Sequence, residues 1–411
     1  MKNQYLYDGC KSFVLSALKL LNKKIESGET IPIERKEHFF KDFRIEYSTL
    51  LAFWRFIYKH NEDIKKLPEF GSVELIKDDI EQLNLIEFLI YYVNKTKSLN
   101  FDENIFNSVY QETESYFHSK ELNFMANAPL QNFECEMDNI NLENNLRIRK
   151  LTKEEFSELC VNAKNGIGAS LPFRVAINIE YQIEMPYSIQ KGEPISDQEP
   201  KEIFDKLISA LRLFKAGSVG YTILKSKSLS WQPMMGTKIR SGIFYKTLIG
   251  DKYKLTSQEC KKFEKFWSLY QKHDFNQNES IKFIVIAIKR FDYTYEREKA
   301  EDKLIDFIIA LEALFLKEEE KSELTYKLAI RMATFLGDNK KEKQQIFSDV
   351  KNAYNVRSKI IHGSSKIKSE KLISQTSKIE ECVRSSINKF LIMIVDKSHI
   401  EIIKNIDEKF F

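Results

Sequence analysis

The chain has 411 residues, 43% of them apolar and 30% charged, with only 13 Gly and 8 Pro. That composition excludes a disordered or collagen-like chain and favours long helices over a turn-rich sandwich, while the length implies two or three folding units. Lys and Arg outnumber Asp and Glu by 64 to 60, a net charge of +4 that is too small to name a polyanionic partner.

The five cysteines, Cys10, Cys135, Cys160, Cys260 and Cys382, lie far apart and include no C-x-x-C pair. This fits reduced thiols in a cytoplasmic setting rather than a disulfide framework or a zinc site, so neither a metal nor a cofactor is expected. The N-terminal MKNQYLYDGCKSFVLSALKLLNKK mixes apolar residues with Lys, Ser and Asp, unlike a signal peptide. The longest apolar run, Phe283 to Ile288, is far short of the ~20 residues of a membrane span. A soluble, cytoplasmic protein with no membrane partner is expected.

In chain order, residues 1–125 read as helices. Phe13, Val14, Leu18, Leu21 and Ile25 follow helical spacing, a segment from about Arg35 to His60 is apolar on most sides and so expected to be buried, and IEQLNLIEFLIYYV continues the pattern. Between 126 and 255 the period changes to an α+β pattern. Val175, Ile177, Ile179, Tyr181, Ile183 and Met185 alternate as in a half-buried strand. Asn139 to Lys150 is expected to form another strand, Thr152 and Glu155 make a capping box that opens a helix, and Ile203, Leu207, Leu211 and Phe214 mark a further helix. From 256 to 411 every periodic segment is helical, with breaks near 274–279, 318–323, 337–340 and 363–369. The fold class is therefore mainly α with an α+β middle region.

The C-terminal block contains RSKIIHG, in which Arg357 and His362 are separated by four residues and followed by Gly363. Arg55 and His60 repeat that spacing inside an apolar helix followed by Asn-Glu-Asp, a neighbourhood hostile to a polyanion, and are read as structural. Arg357 instead falls on the stripe Ile346, Val350, Ala353, Arg357, Ile361, which turns a guanidinium inward. A buried arginine needs a partner, and Glu312, on the stripe Ile305, Ile308, Ile309, Glu312, Leu316, supplies a candidate. Residues 338–371 hold nine Lys or Arg against four acids, a local surplus larger than that of the whole chain. Each feature also has an ordinary explanation: His362 as a C-terminal cap, the lysines as a solvated face, and Glu312 with Arg357 as a structural pair.

The stretch from about 277 to 396, with AEDKLIDFIIALEALF, YKLAIRMATFLG, VKNAYNVRSKIIHG and a last amphipathic helix, resembles a HEPN domain of the Apea-like group. The matching positions are Asp306 and Glu312 on the ALE-type helix, Arg331, Tyr354, Ser358, and Arg357 with His362 and Gly363. NLENNLRIRKLTKEEF and ALRLFKAGSVGY resemble the region that precedes such domains, so the likeness extends from about residue 125 to the end. Residues 1–125 match no family.

The resemblance implies a C-terminal HEPN-type four-helix bundle that dimerises, and a metal-independent endoribonuclease of antiviral (abortive-infection) or toxin-type defence, acting on RNA and answering to a trigger or regulatory protein. The chemistry is consistent with these residues. RNA carries its own nucleophile, the 2′-OH, so cleavage needs proton transfer and positive charge on the phosphorane. His362 would move the proton and Arg357 would hold the phosphate, with Glu312, Tyr354, Ser358 and Arg331 in support and Lys359, Lys366 and Lys368 binding RNA. Residues five apart on a regular helix point about 140° apart. Arg357 and His362 therefore converge only if the helix breaks before His362, as Gly363 suggests, or if a second copy completes the site. Leu372, Ile379, Val383, Ile387, Phe390 and Ile394 form a stripe that would pack either a second copy or the chain's own core. The alternative function is a catalytically silent HEPN module serving dimerisation, nucleotide binding or protein interaction. No G-x-x-x-x-G-K-[ST] loop supports phosphoryl transfer.

Overall fold

The computed structural model describes residues 3–32, 46–77, 83–117, 121–152, 155, 175–184, 198–221, 223–229, 241–243, 251–273, 275, 278–363 and 369–410. These residues are mainly helical, with a sheet in the middle region. They build two hydrophobic cores, one within residues 6–110 and the other running from Ala126 to Ile406.

The first core is made by α1 (Gln4–Glu26), α2 (Glu46–Lys59), α3 (Asn61–Lys65), α4 (Pro68–Ile76), α5 (Leu85–Thr96) and α6 (Glu103–Phe117). Asn3 caps α1 by accepting from the Leu6 N–H at 3.0 Å, and Asn84 caps α5 in the same way. Phe13, Val14, Leu18 and Leu21 are buried as their spacing predicts. The expectation of an all-round buried second helix is corrected. Ala52, Phe53, Phe56 and Ile57 face the core, but Trp54 and Arg55 are exposed, because the aromatic run satisfies one face and leaves its intervening residues in solvent.

The sheet runs β3-β4-β5-β1-β7-β8, with β6 also on β1, from strands β1 (Glu121–Gln131), β3 (Asn139–Asn141), β4 (Leu146–Lys150), β5 (Val175–Glu184), β6 (Gly220–Tyr221), β7 (Ile223–Ser228) and β8 (Ser241–Ile243). All pairings in it are antiparallel. The alternating segment forms β5 as far as Glu184, with Met185 outside the described residues, and because it is an inner strand Ala176 is buried as well as Val175 and Ile177. Residues 139–150 are a hairpin rather than one strand. Asn144 and Asn145 both take positive φ, 59° and 57°, and the Leu146 N–H closes the turn onto the Glu143 carbonyl, the mirror-image turn that suits strand twist. The capping box forms in both directions between Thr152 and Glu155; the helix it would open lies outside the described residues. A second, parallel pair joins β2 (Phe133–Cys135) to β9 (Tyr253–Leu255).

Helix α7 (Gln198–Phe214) buries Phe204, Leu207 and Leu211 in the same core as the sheet. The remaining helices are α8 (Ser257–Gln271), α9 (Lys282–Tyr293), α10 (Ala300–Phe315), α11 (Leu324–Leu336), α12 (Lys340–Ile361), α13 (Ser369–Met393) and α14 (His399–Asp407). Helix α10 lies centrally, packed on α9, α11, α12 and α13. The α13 stripe considered as a surface for a second copy is used inside the chain: Leu372, Ile379, Val383, Ile387 and Phe390 are all buried, and Ile394 packs against the same core. Among the described residues no helix is long and apolar enough to cross a membrane.

Two buried arginines tie the middle region to the C-terminal helices. Arg384 on α13 donates from Nε to the Arg212 carbonyl at 3.0 Å and from Nη2 to Glu380 at 2.5 Å. Arg212 on α7 donates to the Val219 carbonyl at 3.1 Å and to Asp292 at 3.2 Å, with its guanidinium 4.4 Å from the Tyr295 ring centre. Two imidazoles are also enclosed. His399 stacks on Phe283 at 3.9 Å with Nε2 at 2.9 Å from the Leu314 carbonyl, and desolvation lowers the pKa of both His399 and His273. A histidine pKa lowered by folding stabilises the fold at higher pH, and that contribution is lost as pH falls below the unfolded value of about 6.5. The urea midpoint is therefore expected to drop between pH 7.5 and pH 5.5, and to drop less in His399→Gln. Equal pH dependence in both proteins would contradict this account of His399.

Candidate functional site

Helix α12 is set at its start by Asn339, whose side chain accepts from the Glu342 N–H at 3.0 Å and donates to Glu342 Oε1 at 2.7 Å. At its end the His362 N–H still bonds the Ser358 carbonyl at 3.1 Å, so the helix does not break before His362. The reversal comes one residue later. Gly363 takes φ +66° and donates to the Ile360 carbonyl at 3.1 Å. Space around it is open, so the left-handed conformation, rather than crowding, is what favours glycine there.

This geometry separates the two motif residues. At about 100° per residue, Arg357 lies within about 40° of the buried Val350 and Ala353, whereas His362 lies about 20° from the exposed Lys351. Arg357 is half-buried and turns toward α10, with Nη2 3.8 Å from Glu312 Oε2. Its guanidinium carbon is 5.6 Å from the centre of the Tyr354 ring, one helical turn away. Burial, followed by the Glu312 carboxylate beside it, raises the pKa of the Tyr354 hydroxyl. Arg357 Nε is buried and meets no acceptor among the described residues. A separation of 3.8 Å is too long for a bidentate arginine–carboxylate hydrogen bond, so the contact with Glu312 is a loose ion pair. Ile361, placed by spacing on the inward stripe, is 52% exposed, because the helix end projects past the core that covers Val350 and Ala353.

Comparisons of the chain with protein-family models, curated proteins and solved structures found no match.

Glu312, Tyr354 and Arg357 are brought together, Ser358 is half-buried on the next turn, and Lys359 and His362 are exposed. Lys366 and Lys368 lie outside the described residues. Arg331 is not part of this cluster. Its side chain is 5% exposed and makes five hydrogen bonds, two to Glu320, two to Asp407 and one to the Phe315 carbonyl, which holds Glu320 down at about 2. Asp306 is likewise occupied, by Arg290 at 3.0 Å and Arg297 at 2.9 Å. His60 of the other Arg-x4-His copy is buried, edge-on to Phe56 and 3.1 Å from Glu29, in keeping with its structural reading. Among the described residues no group of three or more His, Cys, Asp or Glu is placed to hold a metal.

One surface was not singled out from sequence. Phe347, Lys351, Tyr354, Ser358 and His362 fall at i, i+4, i+7, i+11 and i+15 along α12, within about 80° of one another. The 56% exposed Tyr326 of α11 meets Phe347 edge-on at 5.7 Å, and Lys351 Nζ is 5.9 Å from the Phe347 ring. The signal was present as aromatics seven apart on a lysine-rich helix. Replacing Arg331 by Ala should cost about 3–5 kcal/mol, because two carboxylates lose a buried partner. Arg357→Ala should cost less than about 1 kcal/mol, as expected for a loose, partly exposed pair. Urea unfolding of both variants measures the difference, and equal losses would remove the distinction between them.

Proposed function

We propose that the chain is a metal-independent endoribonuclease of the HEPN type whose C-terminal helices form the catalytic bundle. The observation that carries this reading is Arg357. It is an arginine turned inward on α12, with a buried Nε that meets no acceptor among the described residues, Glu312 and Tyr354 around it, and the exposed imidazole of His362 at the same helix end. In the proposed reaction the RNA 2′-OH attacks the adjacent phosphorus, the bond to the 5′-oxygen breaks, and a 2′,3′-cyclic phosphate and a 5′-hydroxyl are released. Arg357 stabilises the negative charge that builds on the phosphorane oxygens. His362 moves the proton between 2′-oxygen and leaving oxygen, a task that suits an imidazole. The exposed Lys351 and Lys359 and the Tyr326–Phe347 pair offer charge and a ring face to a single strand.

Because Arg357 and His362 diverge within one chain, the reading requires a second copy, with the His362 of one meeting the Arg357 of the other. The setting proposed with it is cellular defence of the abortive-infection or toxin type, with regulation through the rest of the chain or a partner protein. The same divergence favours a second reading, in which Arg357, Glu312 and Tyr354 form a structural cluster and the module is a silent scaffold.

One experiment separates the two. In EDTA the purified protein should cut single-stranded RNA, His362→Ala and Arg357→Ala should each lower the rate by about 10²-fold or more, and a mixture of the two inactive variants should regain part of the activity. Recovery on mixing supports the shared site. Absence of cleavage by wild type at all concentrations supports the scaffold, and cleavage undiminished in His362→Ala removes that residue from the chemistry.

A further inference from the structure

Cys135 and Cys260 are 125 positions apart in sequence, and their sulfurs lie 3.5 Å apart. Cys135 closes strand β2 and is half-buried, whereas Cys260 sits in the first turns of α8 and is fully buried. Their approach is held by the backbone around them. The Glu136 N–H donates to the Leu255 carbonyl at 3.1 Å, and the Glu136 carboxylate accepts from the Ser257 N–H at 2.8 Å, fastening the end of β2 to the start of α8. The Phe133 and Tyr253 rings stack at 5.6 Å just below, and the Thr256–Glu259 capping box fixes the first turn of the helix. Cys10 belongs to the other core, and Cys382 lies on α13.

We propose that Cys135 and Cys260 are a reversible dithiol–disulfide pair that staples strand β2 to helix α8 when the chain meets a peroxide. A disulfide bond is about 2.05 Å long, so the sulfurs need to close by roughly 1.5 Å, a change within reach of side-chain rotation when the backbones are already pinned. Cys135 is the thiol that solvent reaches, while burial pushes the Cys260 thiol up to about 12, so Cys135 reacts first. The Cys135 sulfur takes one oxygen from hydrogen peroxide to give the sulfenic acid, and water leaves. The Cys260 sulfur then attacks that sulfur, the S–S bond forms as the S–O bond breaks, and a second water leaves. Two thiols and one peroxide thus give one disulfide and two waters, and an added dithiol reverses the bond by exchange. Closing so long a loop restricts the unfolded chain, so the oxidised form is the more stable one. This inference does not depend on the ribonuclease reading.

The test treats the full-length protein with hydrogen peroxide, alkylates remaining thiols under denaturing conditions and maps the cysteines by mass spectrometry. The expected result is a linked peptide pair containing Cys135 and Cys260, 2 Da lighter than the two free peptides, in monomeric chains. The link should disappear with dithiothreitol and be accompanied by an upward shift of several degrees in the melting temperature. Cys135→Ser and Cys260→Ala should each lose the link and the shift, while Cys382→Ser keeps both. Oxidation that ends as sulfinic acid on Cys135 with Cys260 still alkylatable, or a bond from either cysteine to any other, would overturn the proposal. The mapping on the natural chain decides the question even where a variant fails to fold.

Discussion

Arg384 and Arg212 occupy the place where the sheet region and the C-terminal helices become a single body. Each guanidinium is almost fully removed from water, and each is answered by a carboxylate, a backbone carbonyl and an aromatic face. Stripping water from two charges is costly, and a well-packed apolar pair of similar size would hold the two halves at least as firmly. What the charged arrangement adds is direction. The Arg384 Nε–H meets the Arg212 carbonyl at the C-terminal end of α7, which ties α13 to α7 at that point, and the core continues from Ala126 to Ile406.

Helical periodicity governs the site in the same strict way. The regular turn of α12 points Arg357 at α10 and Glu312, and five residues later it delivers His362 to solvent. An Arg-x4-His spacing on an unbroken helix cannot supply both a phosphate anchor and a proton shuttle to one phosphate from one chain. Within the chain, Tyr354 is the bridge between the two directions. Its ring borders the guanidinium, and its position on α12 lies along the stripe that ends at His362.

Much of the fold was legible because periodicity reports burial directly. The alternation from Val175 gave β5 and the 3.6-residue stripes gave α1, α7 and α13; on α10 the buried face runs instead through Leu304, Phe307, Leu311 and Leu314, which leaves Ile305, Ile309 and Glu312 on a half-buried flank where Glu312 still meets Arg357. Three features were not legible, each for a physical reason. The hairpin at 139–150 depends on two consecutive left-handed asparagines, Asn144 and Asn145, and asparagine tolerates positive φ without requiring it, so residue type alone does not fix a turn there. Arg331 matched a motif position, but its partners Glu320 and Asp407 are 11 and 76 residues away, and only packing of α14 against α11 reveals that its donors are spent on the fold. The α13 stripe looks alike whether it meets another chain or its own, since spacing records that a face is covered and not by what.

Helix α10 has neighbours on four sides, and its carboxylates at 306 and 312 reach in different directions, one to Arg290 and Arg297 and the other to Arg357. A single residue inserted between those two positions would turn one carboxylate by about 100° relative to the other, so the two sets of contacts could not be kept together. Length variation among descendants of this sequence should therefore spare residues 300–315 and collect in exposed connections such as Lys321–Ser322, which makes the central helix a ruler against which divergent relatives can be aligned.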